Sequence, residues 1–284
     1  MIKVLKPGFY STIQDLGRIG FQQFGVPYSG VMDRKAATVA NALLGNDESD
    51  AVIEMTMTGA TFQFSTNTFI AISGADMSPK LNNQAIQCNK MVAVKFNDVL
   101  SFGKLNTGFR CYLAVLGGFN TEIVMNSKSM YKNITEQSVI KKDDDLMIFK
   151  DSITNISHHA SIRFNTDYIN SNIIEVHRGP EFYFLSENQQ KALFATDFSI
   201  SKDNNRMAYQ MEETFQNNLK PIITSAVLPG TVQLTPSGKL IVLMRDCQTT
   251  GGYPRVLQLT ESAINIIAQK FTGNTIRFKL IPQN

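Results

Sequence analysis

Cysteine, histidine and tryptophan are scarce in this sequence, whose 284 residues include three cysteines, three histidines and no tryptophan. The cysteines, Cys88, Cys111 and Cys247, are far apart and odd in number. This spacing argues against a disulfide framework and a CxxC zinc site, so we predict reduced thiols. Cys247 follows Asp246, and a neighbouring carboxylate raises the pKa of a thiol, so we predict no nucleophilic role for it.

The histidines do not form a recognisable site either. His158 and His159 are adjacent, and neighbours on a strand point to opposite faces, while His177 is separate in the sequence. A histidine metal centre or a Ser-His-Asp triad is therefore poorly supported, and we predict no metal site on this chain.

Long apolar runs and blocks of basic residues are missing as well. No apolar stretch approaches the roughly 20 residues of a membrane-spanning helix. The first residues lack the apolar core and cleavage site of a signal peptide. Because the net charge of +3 is spread along the chain, we predict a cytoplasmic protein that binds a small molecule or a protein, not a membrane or a nucleic acid.

Two nucleotide-binding fingerprints are also absent. Neither GxxxxGK[ST] nor a GxGxxG between a strand and a helix occurs. Any nucleotide chemistry must therefore use another site architecture or another subunit.

Short β-rich runs dominate what is present. They are mostly bounded by Gly, Asn, Asp or Ser, and few helices separate them. The runs are IKVL, TFQF, FIAIS, MVAVKF, CYLAVLGGF, DLMIF, NIIEVHR, KLIVLM and TIRFKLI. This pattern predicts a mainly β fold with a few helices, built from barrels or sandwiches and not from alternating βαβ units.

Three segments carry helix signals: MDRKAATVANALLGN, LTESAINIIAQKFTGN and the less regular PEFYFLSENQQKALFAT. In the first two, Asp33 and Thr260 are the predicted N-caps, and Gly45 and Gly273 the predicted ends. TGATFQF follows the first helix and TGNTIRF follows the last. This internal echo predicts two related halves, with their polar loops facing one cleft.

The loop after KLIVLM, which reads RDCQTTGGYP, is unusually polar. Gly251 and Gly252 can adopt positive φ and let backbone N–H groups form a nest for a carboxylate or an oxyanion. Gln248, Thr250 and Tyr253 add neutral hydrogen-bonding groups. A tight turn would explain the glycine pair alone, but it needs no such set of polar side chains.

Three further places share this excess of polarity. The glycine-punctuated segment STIQDLGRIGFQQFGVPYSGVMD holds Asp15, Arg18 and Asp33. Glu54 lies among apolar residues, where isolated burial is costly, so it is either paired with a cation or turned outward. Arg206, in DNNRM, offers a fork for a carboxylate, although a surface arginine is the simpler alternative.

Together these segments resemble the biotin-dependent carboxyltransferase/allophanate hydrolase subunit 2 family, whose members include the C subunit of bacterial 5-oxoprolinase and the KipA antagonist of a kinase inhibitor. The resemblance runs in order along almost the whole chain. It is carried by STIQDLGRIGFQQFGVPYSGVMDRKAATVANALLGN, AVIEMTMTGATFQF, SGADMSPKLNNQAI, GFRCYLAVLGGF, HRGPE, NRM, RDCQTTGGYPRV and TGNTIRF.

This resemblance implies two cyclophilin-like β-barrel domains, which we place at residues 1–168 and 169–284, with an N-terminal segment that can be exchanged between the halves. It implies a shorter cyclophilin-like partner, which is the B subunit or a KipI-like protein, and a lactam-utilisation partner, the A subunit. The implied reaction is the ATP-dependent opening of 5-oxo-L-proline to L-glutamate. ATP, with or without Mg²⁺, can be held by a partner subunit, and no biotin-attachment sequence is present.

Residue chemistry then suggests roles for the polar loops. Arg206 would orient a substrate carboxylate, and Asp246 or Glu54 would manage protons. The backbone of Gly251 and Gly252, with Thr250, would stabilise developing negative charge. Asp15, Arg18, Asp33, Gln248 and Tyr253 are the other predicted substrate-binding residues.

Two alternatives remain open on the sequence. One is an allophanate or urea amidohydrolase or carboxyltransferase component, and the other is a KipA-like regulator that binds a kinase inhibitor. The chain departs from the family pattern at residues 126–146, where Met130 replaces a threonine and glycines are missing, and at residues 203–210. These departures bear on the substrate and on turnover more than on the fold.

Overall fold

The computed structural model describes residues 1–149 and 165–282. The chain forms two compact units, of which the first comprises Met1–Arg18 and Ser29–Ile169, and the second Ile19–Tyr28 and Asn170–Asn284. The sequence-based domain boundary at residue 168 stays a prediction, because compactness alone does not show that a unit folds by itself. His158 and His159 lie outside the described residues.

The first unit contains two sheets. Their strands are β1 (Ile2–Lys6), β2 (Tyr10–Gln14), β3 (Val52–Thr56), β4 (Thr61–Phe64), β5 (Thr68–Asp76), β6 (Lys80–Leu81), β7 (Gln84–Ala85), β8 (Met91–Val94), β9 (Val99–Ser101), β10 (Thr107–Val115) and β11 (Asp145–Leu146). One sheet has the order β11-β1-β4-β9-β6-β7, and the other has the order β2-β3-β10-β5-β8.

The alternation of side chains along β10 explains how these sheets pack. Cys111 and Leu113 point into a buried apolar cluster that both sheets share. Tyr112 and Ala114 point to the opposite face, where they pack with apolar residues of helix α1 (Arg34–Leu44). Because the period of a strand is two residues, β10 is buried on both faces and reads as a continuous apolar run.

Helix α1 begins and ends where its sequence predicts. The side chain of Asp33 accepts a hydrogen bond from the Ala36 backbone N–H at 3.0 Å, which is the N-cap arrangement. Gly45 ends the helix in the left-handed region, with φ of 71°. Helix α1 buries Ala36, Ala40 and Leu44 against the sheet.

The second unit is a closed barrel with a short ribbon. The barrel strands are β12 (Ile173–Arg178), β13 (Phe198–Asn204), β14 (Ala208–Thr214), β16 (Thr231–Leu234), β17 (Lys239–Leu243), β19 (Arg255–Leu259) and β20 (Thr275–Leu280), and the ribbon pairs β15 (Ser225–Ala226) with β18 (Thr250–Gly251). Around the barrel the order is β12-β19-β16-β17-β14-β13-β20. The predicted mainly β fold with a few helices is confirmed.

Two helices accompany the barrel. Helix α2 (Glu187–Ala195) begins with a capping box between Ser186 and Gln189. Helix α3 (Glu261–Ala268) has the predicted cap at Thr260, but it ends before Gly273. The reason is local, because the N–H groups of residues 269 and 270 bond to carbonyls three positions back, which tightens the last turn.

None of the helices in the described ranges is long and apolar enough to cross a membrane.

Candidate functional site

The residues predicted to form the site fall into two groups, one in each unit. The first unit holds Asp15, Arg18, Asp33 and Glu54, and the second holds Arg206, Asp246, Gln248, Thr250, Gly251, Gly252 and Tyr253. Within each unit, the structure brings some of these residues into direct contact.

Arg206 and Asp246 lie where β14 begins and β17 has just ended. The backbone N–H of Asp246 donates to the Arg206 carbonyl at 2.9 Å, and that of Met244 donates to the Met207 carbonyl at 2.8 Å. These bonds extend the antiparallel β14–β17 ladder beyond its last strand residues. The ladder therefore places two residues that are 40 positions apart side by side.

The side chains of this pair form a bidentate ion pair. Arg206 Nε donates to Asp246 Oδ2 at 2.8 Å, and Nη2 donates to Oδ1 at 3.0 Å. Arg206 is 6 % exposed and Asp246 is 9 % exposed, so Arg206 is not a surface arginine. Because Asp246 occupies one edge of the guanidinium, a substrate carboxylate would have to share Arg206 with it.

The loop after this pair forms part of a two-stranded ribbon and does not form the predicted anion-binding nest of backbone N–H groups. Thr250 and Gly251 pair with Ala226 and Ser225, and the Gly252 carbonyl accepts from the Ile222 N–H at 2.9 Å. The expectation of positive φ at Gly251 and Gly252 is wrong, since neither is among the positive-φ glycines. Extended pairing with β15 requires a strand conformation instead.

Gly251 lies close to the end of the Gln233 side chain, which would have to move to admit a larger residue. A Cβ atom there would lie 2.4 Å from Nε2 of Gln233. Gly252 has no such neighbour, since its nearest atom would be the Ile222 carbonyl oxygen at 3.5 Å. Tyr253, 40 % exposed, and Thr250, also exposed, leave polar groups accessible on this ribbon, and Gln248 is half-buried.

Cys247 is buried and packs with Val227 and Leu243. Burial, and then the nearby charge of Asp246, raises its pKa to about 12. The thiol is thus protonated at neutral pH and is not an activated nucleophile.

A second ion pair in the barrel unit was not singled out by the sequence. Arg255 donates to Glu181 from Nε at 2.9 Å and from Nη2 at 2.8 Å, and its backbone N–H also donates to Glu181 at 2.9 Å. The hydrogen bond from Arg255 lowers the pKa of Glu181. Glu181 is the last residue of the motif HRGPE, which was the available signal for it. The glycine of this motif lies against Arg255, because a Cβ on Gly179 would lie 2.1 Å from the Arg255 carbonyl oxygen.

Asp15 and Arg18, in the first unit, both bind the segment 124–129. Oδ1 of Asp15 accepts from the hydroxyls of Ser127 at 2.7 Å and Ser129 at 2.6 Å, and Oδ2 accepts from the Lys128 N–H at 2.5 Å. Arg18 is fully buried and donates to the carbonyls of residues 124 and 129. Both predicted substrate-binding side chains therefore organise a loop of their own unit.

Glu54 is buried and paired, which is the first of the two alternatives predicted for it. It is 1 % exposed and lies 3.7 Å from Nε of Arg110. Its Oε2 accepts from the Met32 N–H at 2.7 Å and from the Tyr112 hydroxyl at 2.9 Å. Burial raises the pKa of Tyr112 well above its usual value, and the charges of Glu54 and Asp33 add to that effect.

Asp33 is confirmed as the cap of helix α1, and both of its carboxylate oxygens have partners. Oδ1 accepts from the Ala36 N–H, and Oδ2 accepts from the Tyr168 hydroxyl at 2.7 Å. Burial raises the pKa of Tyr168, so this hydroxyl donates at every ordinary pH. A substrate-binding role for Asp33 stays a prediction.

The first unit also contains a cavity of about 180 Å³ that the sequence did not indicate. Its apolar lining includes Ile13 and Met130, and its polar lining includes Glu122, Lys128 and Glu136. None of the predicted site residues lines it. Within the described ranges, no group of three or more His, Cys, Asp or Glu side chains is arranged to hold a metal ion.

Comparison with known proteins gives the family. Residues 24–280 match the family described as carboxyltransferase domain, subdomain A and B. The C subunit of 5-oxoprolinase from Escherichia coli (strain K12) is 31 % identical over 98 % of this chain and 90 % of its own length. The urea amidolyase of Lachancea kluyveri is 41 % identical over 130 residues, which are 45 % of this chain and 7 % of that protein.

A solved structure shows the same fold. The urea amidolyase of K. lactis superposes with a TM-score of 0.87 at 24 % identity, over 99 % of this chain. This chain spans only 19 % of the length of that enzyme. The resemblance predicted from the sequence is thereby confirmed, and the chain belongs to the carboxyltransferase domain family, with subdomains A and B.

Proposed function

We propose that this protein is a subunit of an ATP-dependent 5-oxoprolinase, which opens 5-oxo-L-proline to L-glutamate together with partner subunits. One observation carries the proposal: the similarity to the E. coli protein, named as the C subunit of 5-oxoprolinase, covers 98 % of this chain and 90 % of that one. The similarity thus extends through both units and is not confined to one of them.

The reaction has a chemical difficulty that ATP can remove. Amide resonance makes a lactam carbonyl a poor electrophile. Transfer of a phosphoryl group from ATP to the carbonyl oxygen would activate the carbon for attack by water, after which the C–N bond breaks. The acyl phosphate left by this step is hydrolysed by a second water to glutamate and phosphate.

The barrel unit supplies groups that suit this chemistry. Asp246, paired with Arg206, is followed four residues later by Thr250 of the ribbon and then by Tyr253, both of which are exposed. Asp246 would accept a proton from attacking water, and Arg206 would keep that carboxylate oriented. Gln248, Thr250 and Tyr253 would bind the neutral edge of the lactam ring.

Partner subunits would supply the remaining parts. The E. coli relative is named as one subunit of 5-oxoprolinase. We propose a shorter partner of similar architecture and a separate lactam-utilisation partner, and we assign ATP binding, with its Mg²⁺, to the assembled complex.

A carboxyltransferase component of a urea-degrading enzyme is the second candidate. The local identity of 41 % to the L. kluyveri urea amidolyase exceeds the 31 % identity to the E. coli protein. The shorter span of that match, 45 % of this chain, makes it the weaker candidate.

The deciding experiment is a reconstitution with the two proposed partner subunits from the same organism. ADP release is measured with 5-oxoproline, with urea and without substrate, for this chain alone, with the shorter partner, and with the full set. We expect 5-oxoproline-dependent ADP release from the full set, with glutamate formed in equal amount. Absence of 5-oxoproline-dependent release from every mixture would refute the proposal, and release dependent on urea would favour the second candidate.

A further inference from the structure

One segment of the chain leaves the first unit and returns to it within a few residues. Residues 19–28, here called the arm, belong to the second unit, whereas the residues on both sides of it belong to the first. The arm contains one short 3-10 turn, Gln22–Phe24, and exposes Ile19 at 68 % and Phe24 at 71 %.

The two ends of the arm, residues 15–18 and 29–33, form a closed neck. The Val31 N–H donates to the Asp15 carbonyl at 2.8 Å, and the Gly30 N–H donates to the Gln14 side chain at 3.1 Å. A Cβ on Gly30, whose φ is +87°, would lie 2.8 Å from the Gly17 nitrogen. The two chain segments of the neck therefore touch backbone to backbone.

The outgoing side of the neck, residues 15–18, is held by the buried carboxylate of Asp15. Asp15 accepts from the Gly17 N–H at 2.8 Å, and its other three donors lie on the loop at residues 127–129. Arg18, the last residue before the arm, donates from its side chain to the carbonyls of Val124 and Ser129. Four donors converge on one carboxylate, which is an arrangement that a neutral amide cannot reproduce.

The returning side of the neck, residues 29–33, is held by a second buried carboxylate, that of Glu54 on strand β3. Glu54 accepts from the Met32 N–H, and Tyr112, which donates to Glu54, accepts from the Asp33 N–H at 2.8 Å. Two consecutive backbone donors are thus bound just before helix α1. Ser29 begins this side with φ of +55°, a conformation that a serine keeps only where its surroundings hold it.

We propose that Asp15 and Glu54 are positioning residues that hold the outgoing and returning sides of the neck closed, so that the chain at residues 19–28 opens to solvent when either is replaced. This role does not depend on the proposed activity. It differs from the substrate-binding role predicted for Asp15 and the catalytic role predicted for Glu54, because the hydrogen bonds described above connect them to groups of their own unit.

The test follows cleavage of the arm in the full chain. Chymotrypsin cuts after Phe21 and Phe24 in the arm, and the exposed Tyr183 and Phe184 elsewhere serve as internal reference sites. Asp15→Asn and Glu54→Gln are compared with the core variant Ile70→Val, each in the urea concentration that gives the same global stability. We expect arm cleavage at least about tenfold faster in the two neck variants, with reference sites unchanged, because the opening is local.

A second variant keeps the inference testable if Asp15→Asn does not fold. Replacing both Ser127 and Ser129 by Ala removes two donors to Asp15 and retains its charge. We expect arm cleavage to be accelerated as in Glu54→Gln. Where Asp15→Asn does fold, adding the two serine changes to it should give no further increase, because the effects of groups acting through one contact do not add.

A spectroscopic reporter gives an independent reading. Since the chain has no tryptophan, Phe24→Trp places a single one on the arm. We expect its fluorescence anisotropy to fall when Asp15→Asn or Glu54→Gln is added, and to stay unchanged with Ile70→Val. Arm cleavage and anisotropy that match those of Ile70→Val at equal stability would overturn the inference.

Discussion

Arg206 and Asp246 form a buried bidentate ion pair, with Nε–Oδ2 and Nη2–Oδ1 distances of 2.8 and 3.0 Å. The pair closes the end of the β14–β17 ladder, so it supports the barrel as well as the proposed chemistry. A buried pair of this kind is costly to break from one side only, because the remaining charge is left uncompensated. Stability and activity must therefore be measured separately at these positions.

Removal of Arg206 alone should strongly destabilise the protein. We expect Arg206→Ala to lower the free energy of unfolding by about 3–5 kcal/mol, because Asp246 would remain buried without its partner. Urea denaturation at neutral pH measures this change. A loss below about 1 kcal/mol would show that water reaches Asp246 freely.

Replacing both partners separates structure from chemistry. Arg206→Met combined with Asp246→Leu should restore most of the lost stability, because apolar side chains of similar size can replace a buried ion pair. In the reconstituted complex this folded double variant should not turn over 5-oxoproline. Full activity of the double variant would remove Asp246 and Arg206 from the proposed mechanism.

The pair of Glu181 and Arg255 predicts a pH dependence of stability. The hydrogen bond from Arg255 holds the pKa of Glu181 below its usual 4.5. A depressed carboxyl pKa stabilises the folded state above the unfolded pKa, and this contribution is lost as the pH falls through the folded value. We expect wild type to exceed Glu181→Gln by about 1–3 kcal/mol at pH 7, and the difference to shrink as the pH falls below about 4.5.

Asp197 provides the matched control for this measurement. It also forms a bidentate pair, with Arg277 at 2.7 Å, and that hydrogen bond also lowers the pKa of Asp197, but the pair is solvent-exposed. Because water and salt screen exposed ion pairs, Asp197→Asn should change the unfolding free energy little at any pH. An equal effect of the two substitutions would contradict the role given to burial.

Two glycines that both lack positive φ should respond differently to alanine. Gly179→Ala would place a Cβ 2.1 Å from the Arg255 carbonyl oxygen, a backbone atom that cannot move away cheaply. We expect a loss of about 3 kcal/mol or more, measured by urea unfolding. Gly252→Ala meets nothing closer than 3.5 Å, so stability should stay within about 0.5 kcal/mol.

Cys247 should resist alkylation in the folded protein. Its pKa of about 12 leaves almost no thiolate at pH 8, and the side chain is buried. We expect its reaction with iodoacetamide to be slower than that of an unstructured cysteine by about a hundredfold or more. Peptide mass spectrometry with and without urea measures the two rates, and fast labelling of Cys247 in the folded protein would refute the assignment.

Local signals in the sequence predicted local structure well. Asp33 and Gly45 bound helix α1 as predicted, since capping needs only the residues next to the helix. Helix α3 ended before Gly273 because its last turn tightens, which residue type does not reveal. The glycine pair at residues 251 and 252 was misread for a similar reason, because its conformation depends on pairing with β15.

The candidate site was only partly accessible to the same reasoning. Residue chemistry identified Arg206 and Asp246 separately, but not their pairing across 40 positions. The substrate-binding role that it gave Asp15 stays a prediction, but it did not identify the groups at residues 127–129 that bind this carboxylate, because they lie more than a hundred positions away. Glu181 went unnoticed because its partner Arg255 lies 74 positions along the chain.

By itself, the sequence determined the mainly β fold, the helix caps and the family, because these depend on short-range preferences and on ordered motifs. Only the tertiary structure decided which buried charges meet. Burying an ionised side chain costs free energy unless a partner compensates it. Strand register and loop closure select that partner from distant parts of the chain, which is why the sequence alone did not show the internal partners of Asp15, Glu54 and Asp246.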